Sequence, residues 1–203
     1  MKTKVYLVRH GETEWNKLGK FQGCIDTNLS KEGIVQAECV SKKFNGNFDY
    51  IYTSPLKRAF HTAEIICGNK EIKPVAVQEL REINFGEWEG LTIKEIMNSF
   101  ADEFYKWRND EVEAPMCGGD LSLKKASTRA KTAIKEIVNK HKGDSIIIVA
   151  HGGIIKAALV GLFGWNMTMY HKVTIGNTSI CEIDFDNDLN PIIIKLNDTS
   201  HLF

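Results

Sequence analysis

Residues 145–154 read Ser-Ile-Ile-Ile-Val-Ala-His-Gly-Gly-Ile, and this stretch predicts the class of fold. Its first six residues form a short apolar run rich in β-branched side chains, which is typical of a strand buried on both faces. Gly152 and Gly153 then turn the chain into a helix that we expect to begin at Ile154. A buried strand followed at once by a helix indicates an α/β domain, with His151 at the junction.

Strands and helices alternate on both sides of this stretch. Short apolar runs predict strands over residues 5–8, 50–52 and 74–77, and a terminal hairpin over residues 181–185 and 192–194. End signals predict helices after Ser30, from Ser54-Pro55 through Cys67, from the Thr92-x-x-Glu95 capping box to about Arg108, and over residues 123–138. We therefore expect one three-layer α/β/α domain over residues 1–203, with a mostly parallel sheet and helices on both faces.

The composition is that of a globular protein without a charged surface for a polymeric partner. The 203 residues are 43% hydrophobic and 26% charged, and 26 lysines and arginines balance 26 acidic residues. A balanced chain without a basic run predicts no binding to nucleic acid or to an anionic membrane. Any anionic ligand must then be held by a local cluster of basic groups.

Apolar stretches and cysteines argue against two further classes. The longest apolar stretch, residues 154–165, is interrupted by Lys156 and is too short to span a bilayer. The apolar run before Arg9 is shorter than the core of a secretory signal. Five cysteines without a C-x-x-C pair indicate neither a disulfide framework nor a structural zinc site. We therefore expect a cytoplasmic protein.

Basic side chains follow three of the predicted strands, at the points where the strands end. The first strand is followed by Arg9 and His10, the second leads to Arg58, and the buried strand leads to His151. In open α/β sheets, ligands bind beyond the carboxyl ends of the strands. The helix that follows Gly152 and Gly153 would add free backbone N–H groups and the positive end of its dipole. Together these groups predict a pocket for phosphate, since arginine forks match its oxygens.

The segment Leu7-Val8-Arg9-His10-Gly11-Glu12-Thr13, with Asn16 shortly after, resembles the signature of the histidine phosphatase superfamily, which includes cofactor-dependent phosphoglycerate mutases. The likeness continues in the family's order along nearly the whole chain. Its further segments are Gln22-Gly23, Leu29-Ser30-x-x-Gly33, Ser54-Pro55-Leu56-x-Arg58, Leu80-x-Glu82-x-x-x-Gly86-x-Trp88 and Ala150-His151-Gly152-Gly153. A run of matches in this order is highly specific.

The resemblance implies a role for each matched residue. His10 would be the nucleophile and become phosphorylated, and Glu82, near the edge of the pocket, would protonate the leaving group. The substrate's phosphate would be bound by Arg9, Arg58, His151 and Asn16, with the Gly152 amide beside them, while Gln22 and Gly23 would line the entrance. No cofactor and no metal are expected.

Two other roles for these side chains stay open. Glu12 alternates to the same side as His10, so that it either orients the signature loop, which we prefer, or serves as the acid. A metal held by His10, Glu12 and His151 is the other alternative. No H-x-H or H-x-x-x-H spacing supports it, and zinc would quench the nucleophile.

The predicted activity is hydrolysis of a small phosphate monoester. The region after Glu82 lacks adjacent arginines, and Lys106 and Arg108 are the only nearby cations, so we prefer a phosphatase to a phosphoglycerate mutase. The segment from Leu80 is similar to α-ribazole phosphatases, with phosphoserine phosphatases and broad-specificity phosphatases as alternatives. A non-catalytic relative that only binds a phosphorylated ligand would lack a nucleophile, arginine or acid, and none is missing. Asp120 and His61 depart from the family's usual Glu and Gln, and the oligomeric state is left open.

Overall fold

A computed structural model describes residues 2–203 and contains a central six-stranded sheet with the order β3-β2-β4-β1-β5-β6. The strands are β1 (Thr3–Arg9), β2 (Tyr50–Thr53), β3 (Val75–Ala76), β4 (Ser145–Ala150), β5 (Ile180–Phe185) and β6 (Pro191–Asp198). The helices are α1 (Glu14–Lys17), α2 (Lys31–Phe44), α3 (Lys57–Cys67), α4 (Ile93–Ser99), α5 (Ala101–Asn109), α6 (Leu123–Lys140) and α7 (Gly152–Phe163). Short 3₁₀ helices lie between them, one of them over Met167–His171.

The sheet is mixed, with a parallel part and an antiparallel edge. Strands β3, β2, β4 and β1 are parallel neighbours, whereas β5 runs antiparallel to β1 and β6 antiparallel to β5. The β5–β6 pair is the terminal hairpin expected from the sequence. The parallel part requires crossover helices, which cover both faces of the sheet. The predicted three-layer α/β/α domain is confirmed.

The residues of β4 show how the two layers divide the core. Ile147 and Val149 are fully buried against a cluster that includes residues of α2 and α3. Ile146 and Ile148 are fully buried in the larger cluster, with residues of α6 and α7. Burying each such side chain stabilises the fold by about 1.5–3 kcal/mol. The apolar run that predicted a buried strand therefore has one helical layer on each side.

Two of the predicted helix starts have the expected caps. The hydroxyl of Ser30 accepts the N–H of Gly33 at 3.1 Å, and Thr92 and Glu95 form the reciprocal capping box. The helix that begins after Thr92 is shorter than predicted, because the backbone leaves the helical conformation at Phe100 (φ −138°, ψ 42°). α5 begins directly after that residue.

The start of α3 differs from the prediction that Ser54 is its N-cap. The helix begins at Lys57, whose N–H donates to Oδ1 of Asp26 at 2.8 Å. Ser54 is instead drawn toward His151, whose Nε2 lies 2.7 Å from the Ser54 hydroxyl. α7 begins at Gly152, two residues before the predicted Ile154, so the whole Gly-Gly pair is helical.

Within residues 2–203, no helix combines the length and apolar character needed to cross a membrane. The helices and loops that follow β1, β2 and β4 all start from one edge of the sheet. That edge holds the site described next.

Candidate active site

A cavity of about 410 Å³ lies at the carboxyl ends of β1 and β4. Most of the residues that the sequence singled out line it together: Arg9, His10, Asn16, Gln22, Gly23, Arg58, Glu82 and Gly152. The exception is His151, which is fully buried and is not among the lining residues. The sequence therefore predicted one connected site from segments that are far apart in the chain.

His10 follows the last residue of β1 and is held in a defined tautomer. Its Nδ1 lies 2.6 Å from the carbonyl oxygen of Gly11, which can only accept, so Nδ1 carries the proton. The Nε of Arg58 donates to Nε2 of His10 at 3.3 Å, and that nitrogen therefore presents its lone pair. Burial, with Arg58 and Arg9 nearby, holds the pKa of His10 well below 6.5. The imidazole is neutral, which is the form that can act as a nucleophile.

The His151 ring lies beside the His10 ring, with 5.1 Å between the two centroids. Its Nε2 bonds to Ser54, and its Nδ1 is buried without a hydrogen-bond partner among the described residues. Burial and the nearby charge of Arg58 hold the pKa of His151 well below 6.5. Ser54 already accepts the N–H of Leu56 at 3.2 Å, which leaves its own O–H free to donate to Nε2. In that arrangement Nδ1 carries the proton.

Two guanidinium groups supply positive charge to the cavity, that of the buried Arg58 and that of the half-buried Arg9. Arg58 is 1% exposed and also donates to the carbonyl oxygens of Gly23 and Ile25, at 2.7 and 2.9 Å. Arg9 donates through Nη1 to the carbonyl of Ile175 at 2.7 Å, and its Nε is buried without a partner among the described residues. Neither arginine forms an ion pair with a carboxylate within residues 2–203. Desolvation lowers the pKa of both, so a bound anion is favoured.

Glu82 binds two of the backbone N–H groups at the start of α7, which the sequence analysis assigned to phosphate. Its Oε1 accepts the N–H groups of Ile83 and Ile154, at 2.9 and 2.7 Å, and its Oε2 accepts that of Gly153 at 3.0 Å. A Cβ at Gly153 would lie 2.7 Å from Oε1, so only glycine allows this approach. The expectation that Glu82 lies near the pocket edge is wrong, since it is 8% exposed. The helix dipole and free amides of α7 attract this carboxylate instead.

The backbone around Glu82 is held by Arg129 of α6. Its Nη1 donates to the carbonyls of Glu79 and Arg81, at 2.6 and 2.9 Å. Its Nη2 donates to Oδ2 of Asp120 at 2.8 Å, and that same oxygen accepts the N–H of Asn84 at 3.1 Å. Asp120, the residue that departs from the family pattern, therefore helps to fix the segment that carries Glu82.

Three residues of the segment that follows β1, Asn16, Gln22 and Gly23, also line the cavity. Oδ1 of Asn16 accepts from the Thr13 N–H and from Nδ2 of Asn177, both at 3.1 Å, so its NH₂ group is the part that can donate to a ligand. Oε1 of Gln22 accepts from the Thr27 hydroxyl at 2.7 Å, so the NH₂ group of Gln22 is likewise the part that can donate to a ligand. Gly23 has φ +51°, a left-handed conformation that favours glycine, and a Cβ there would collide with Glu89.

Glu12 does not line the cavity. Its Oε1 accepts from the Ser30 hydroxyl at 3.0 Å and lies 3.4 Å from Nζ of Lys17. Its backbone N–H donates to Gln36 at 3.0 Å. Glu12 thus joins the signature loop to α2, which is the orienting role that we preferred from the sequence.

The outer wall of the cavity is aromatic. Phe21 packs edge-on against Phe85 and Trp107, with centroid distances of 4.9 and 6.2 Å, and Trp107 lies 5.5 Å from Phe104. Trp88, which belongs to the acid segment itself, is fully buried in the core. The aromatic wall offers flat apolar surface to the part of a ligand that extends away from His10.

Lys20, Arg108, Lys156 and His171 also line the cavity, and of these only Arg108 was considered from the sequence as a cation near the acid segment. Lys106, the other cation noted there, is not among the lining residues. Lys156 had a visible signal, because it interrupts an apolar helix four residues after Gly152 and so shares its face. Lys20 and His171 belong to no motif, and their position depends on loop packing.

Within residues 2–203, no group of three or more His, Cys, Asp or Glu side chains is arranged to hold a metal ion. The cavity combines a neutral imidazole, whose Nε2 lone pair accepts from Arg58, with two unneutralised guanidinium groups and a carboxyl group. This set matches the requirements of phosphoryl transfer to nitrogen.

Comparison with known proteins agrees with this chemistry. Residues 5–199 match the histidine phosphatase superfamily, branch 1. The chain is 32% identical over 200 residues to phosphoserine phosphatase 1 of Hydrogenobacter thermophilus, a match that spans 98% of this chain and 94% of that protein. It is 30% identical over 162 residues to the adenosylcobalamin/alpha-ribazole phosphatase of Escherichia coli, across 79% of each.

A solved structure is similar along the whole chain. It is a mutant phosphoserine phosphatase of Entamoeba histolytica in complex with phosphoserine, with a TM-score of 0.92 and 38% sequence identity. The match covers 99% of this chain and 100% of that one. By family match, identity and coverage, the chain belongs to the histidine phosphatase superfamily and is a phosphoric monoester hydrolase.

Proposed function

We propose that the protein hydrolyses small phosphate monoesters through a phosphohistidine formed at Nε2 of His10. The observation that carries this proposal is the fixed tautomer of His10. The Gly11 carbonyl holds the proton on Nδ1 at 2.6 Å, and the other nitrogen presents its lone pair beside Arg58. Because burial and the neighbouring cations keep this ring neutral, the nucleophile needs no separate base.

In the first step, the lone pair of Nε2 attacks phosphorus. The N–P bond forms while the bond from phosphorus to the ester oxygen breaks. Glu82 gives a proton to the leaving alkoxide and becomes a carboxylate. Oε2 of Glu82 accepts only one backbone N–H, from Gly153, so this oxygen has a lone pair left to carry that proton.

In the second step, a water molecule attacks the phosphohistidine. Glu82 takes the proton of the water, the O–P bond forms, and the N–P bond breaks to release inorganic phosphate and neutral His10. The same group thus acts as acid and then as base. A chelator is expected to leave the rate unchanged.

Four residues would hold the phosphoryl oxygens in both steps. Arg9 and Arg58 bring charge, and Asn16 has its NH₂ group free to donate. His151 would donate from Nδ1, the buried nitrogen without a partner. Donors aimed at charge that develops in the transition state lower the barrier most in a site shielded from water.

For the natural ester, we infer a small phosphorylated metabolite, with phosphoserine as the first candidate. Two relatives that match nearly the whole chain are phosphoserine phosphatases, which supports this choice over the α-ribazole 5′-phosphate expected from the sequence. α-Ribazole 5′-phosphate is the second candidate, because the aromatic wall at Phe21 and Trp107 suits a flat ring system.

The experiment that tests the proposal compares wild type with His10→Ala on p-nitrophenyl phosphate, with and without a chelator. His61→Ala is the matched control, since His61 is an exposed histidine outside the cavity. We expect the His10 variant alone to lose turnover and to yield no acid-labile label after rapid mixing with ³²P-labelled ester. Equal activity of wild type and His10→Ala would reject His10 as the nucleophile, and no activity in either protein would leave only ligand binding.

A second measurement separates hydrolase from mutase. Wild type is given 3-phosphoglycerate with the diphosphorylated primer, and release of inorganic phosphate is compared with isomer formation. We expect release to be faster. Faster isomerisation would reverse the preference for hydrolysis.

A further inference from the structure

The cavity holds more positive charge than one phosphate group needs. Arg9 and Arg58 lie at the inner end with His10, whereas Lys156 and Arg108 lie in the outer part of the same cavity. Within the described chain, neither of the outer pair forms an ion pair or hydrogen bond through its charged group. Lys156 is half-buried and Arg108 is exposed. A half-buried cation without a counter-ion is costly, so a ligand with a second anion would gain by binding beside Lys156.

Lys156 is positioned by two neighbours. Its Nζ lies 3.9 Å above the ring of Tyr170, which is 3% exposed and belongs to the 3₁₀ helix Met167–His171. This cation–π contact fixes the ammonium group without neutralising it. The opposite charge nearby is that of Glu82, whose two oxygens are already bonded to backbone N–H groups.

Arg108 lines the same cavity from helix α5. Its guanidinium carbon lies 5.9 Å from the centroid of the Phe104 ring. Burial is the main cause of the lowered pKa of Lys156, and charge repulsion from Arg9 and Arg108 adds to it. Two like charges that face one cavity repel each other, and an anion between them removes that cost. An arginine fork also matches the two oxygens of a carboxylate.

The spacing along α7 fits a short ligand. Gly152 lies beside the phosphate-binding end, next to Arg9, and Lys156 follows one turn later on the same face. Four residues of helix advance about 6 Å. A chain of two or three carbons bridges such a distance between a phosphate and a second acidic group.

We propose that Lys156 and Arg108 form a second anion subsite, which binds a carboxylate carried by the same small phosphate ester. The inference rests on the proposed phosphatase function and narrows its substrate class to phosphorylated short-chain acids. It disfavours α-ribazole 5′-phosphate, which has no carboxylate. Lys156 and Arg108 then determine specificity and do not take part in bond cleavage.

The test measures binding and turnover of two ligand pairs that differ by a carboxylate: phosphoserine against phosphoethanolamine, and 3-phosphoglycerate against glycerol 3-phosphate. Binding is titrated calorimetrically in a His10→Ala background, so that no ester is consumed. Lys156→Met removes the charge and keeps the chain length, Lys156→Arg restores the charge, and Lys125→Met is the control from the exposed side of α6.

We expect Lys156→Met to weaken the binding of the carboxylated ligand of each pair by about 10- to 100-fold. This is the affinity that one or two charge-assisted hydrogen bonds contribute. The affinity for the ligand without a carboxylate should fall much less. Lys156→Arg should recover most of the preference for the carboxylated ligand, and Lys125→Met should not change that preference. The turnover ratio within each pair should change in the same direction.

If Lys156→Met lowers the affinity for both ligands of a pair equally, or for neither, the proposed subsite is wrong. If the binding preference depends on Lys156 but the wild type hydrolyses none of the four esters, the subsite stands and the proposed function fails. If the wild type hydrolyses all four at rates that Lys156→Met changes equally, the function stands and the subsite fails.

Discussion

Replacing Glu82 with glutamine should slow the hydrolysis of alkyl phosphates far more than that of p-nitrophenyl phosphate. A glutamine has the same shape, so its oxygen can keep the bonds from Ile83 and Ile154, at 2.9 and 2.7 Å. Its NH₂ group then faces the N–H of Gly153, which Oε2 now accepts at 3.0 Å. Leaving that buried donor unpaired costs about 1–3 kcal/mol, so the variant should fold with reduced stability.

The catalytic loss should depend on the leaving group. General acid catalysis contributes about 10²- to 10⁴-fold, and alkoxide leaving groups need all of it. Nitrophenolate leaves without a proton, so its loss should stay below about tenfold, the part caused by local rearrangement. The assay is kcat/KM across a series of monoesters of increasing alcohol pKa, for wild type and Glu82→Gln.

Glu89→Gln is the matched control for this series. The Glu89 carboxylate also accepts backbone N–H groups, those of Cys24 and Phe85 at 2.9 and 3.1 Å, but it does not line the cavity. We expect its loss to be the same for all esters. If log kcat/KM falls with the pKa of the leaving alcohol equally steeply for wild type and for a folded Glu82→Gln variant, Glu82 is not the acid.

Three other measurements test the rest of the site. Arg129→Met should lower the free energy of unfolding by about 2–4 kcal/mol, as judged by urea titration, and should steepen the leaving-group dependence as Glu82→Gln does, because Arg129 holds the backbone of residue 82. A loss of stability with an unchanged leaving-group dependence would show that Arg129 supports only the fold. The lowered pKa values of His10 and His151 mean that the unfolded chain binds protons that the native state does not, so stability should fall as the pH drops below 6.5, by up to about 1.4 kcal/mol per pH unit for each ring. Urea midpoints between pH 7.5 and 5 should show a shallower slope for His151→Asn, and an unchanged slope would contradict this assignment. Burial lowers the pKa of Lys156 to about 8, against the opposing charge of Glu82 and with the nearby Arg9 and Arg108. The kcat/KM preference for 3-phosphoglycerate over glycerol 3-phosphate should therefore decline as the pH rises through about 8, and Lys156→Arg should move the decline to higher pH; a preference independent of pH would refute the role of this ammonium group.

The sequence could predict the inner site because its residues follow directly from strand ends. Once residues 5–8 and 145–150 are identified as neighbouring parallel strands, His10 and His151 must meet at one edge of the sheet. The roles of these residues in the reaction stay predictions until the variants are measured.

Local signals failed where a distant partner competed for the same group. Ser54 has the sequence of an N-cap, but its hydroxyl bonds to His151, and Asp26 binds the first amide of α3 instead. The amides at the start of α7 were expected to hold phosphate, and the Glu82 carboxylate takes two of them. Which acceptor reaches a free N–H depends on the tertiary fold.

The residues of the outer cavity wall could not be predicted from the sequence, for a similar reason. Tyr170 and His171 lie on a short 3₁₀ helix that carries no motif, and their place in the cavity is set by packing against α5 and α7. Lys156 had the right spacing from Gly152, but its neighbours were needed to show that its charge is not neutralised.

The pairing of Arg9 with Ala150 across β1 and β4 has a consequence for how such a protein can diversify. His10 follows Arg9 and His151 follows Ala150, on two hydrogen-bonded strands. The 5.1 Å between their ring centroids is therefore close to the distance between neighbouring strands of a sheet. No loop has to be correctly folded for the two imidazoles to meet. Mutations that change the side chains of the outer wall can therefore change which ester binds. The distance between the two imidazoles stays the same.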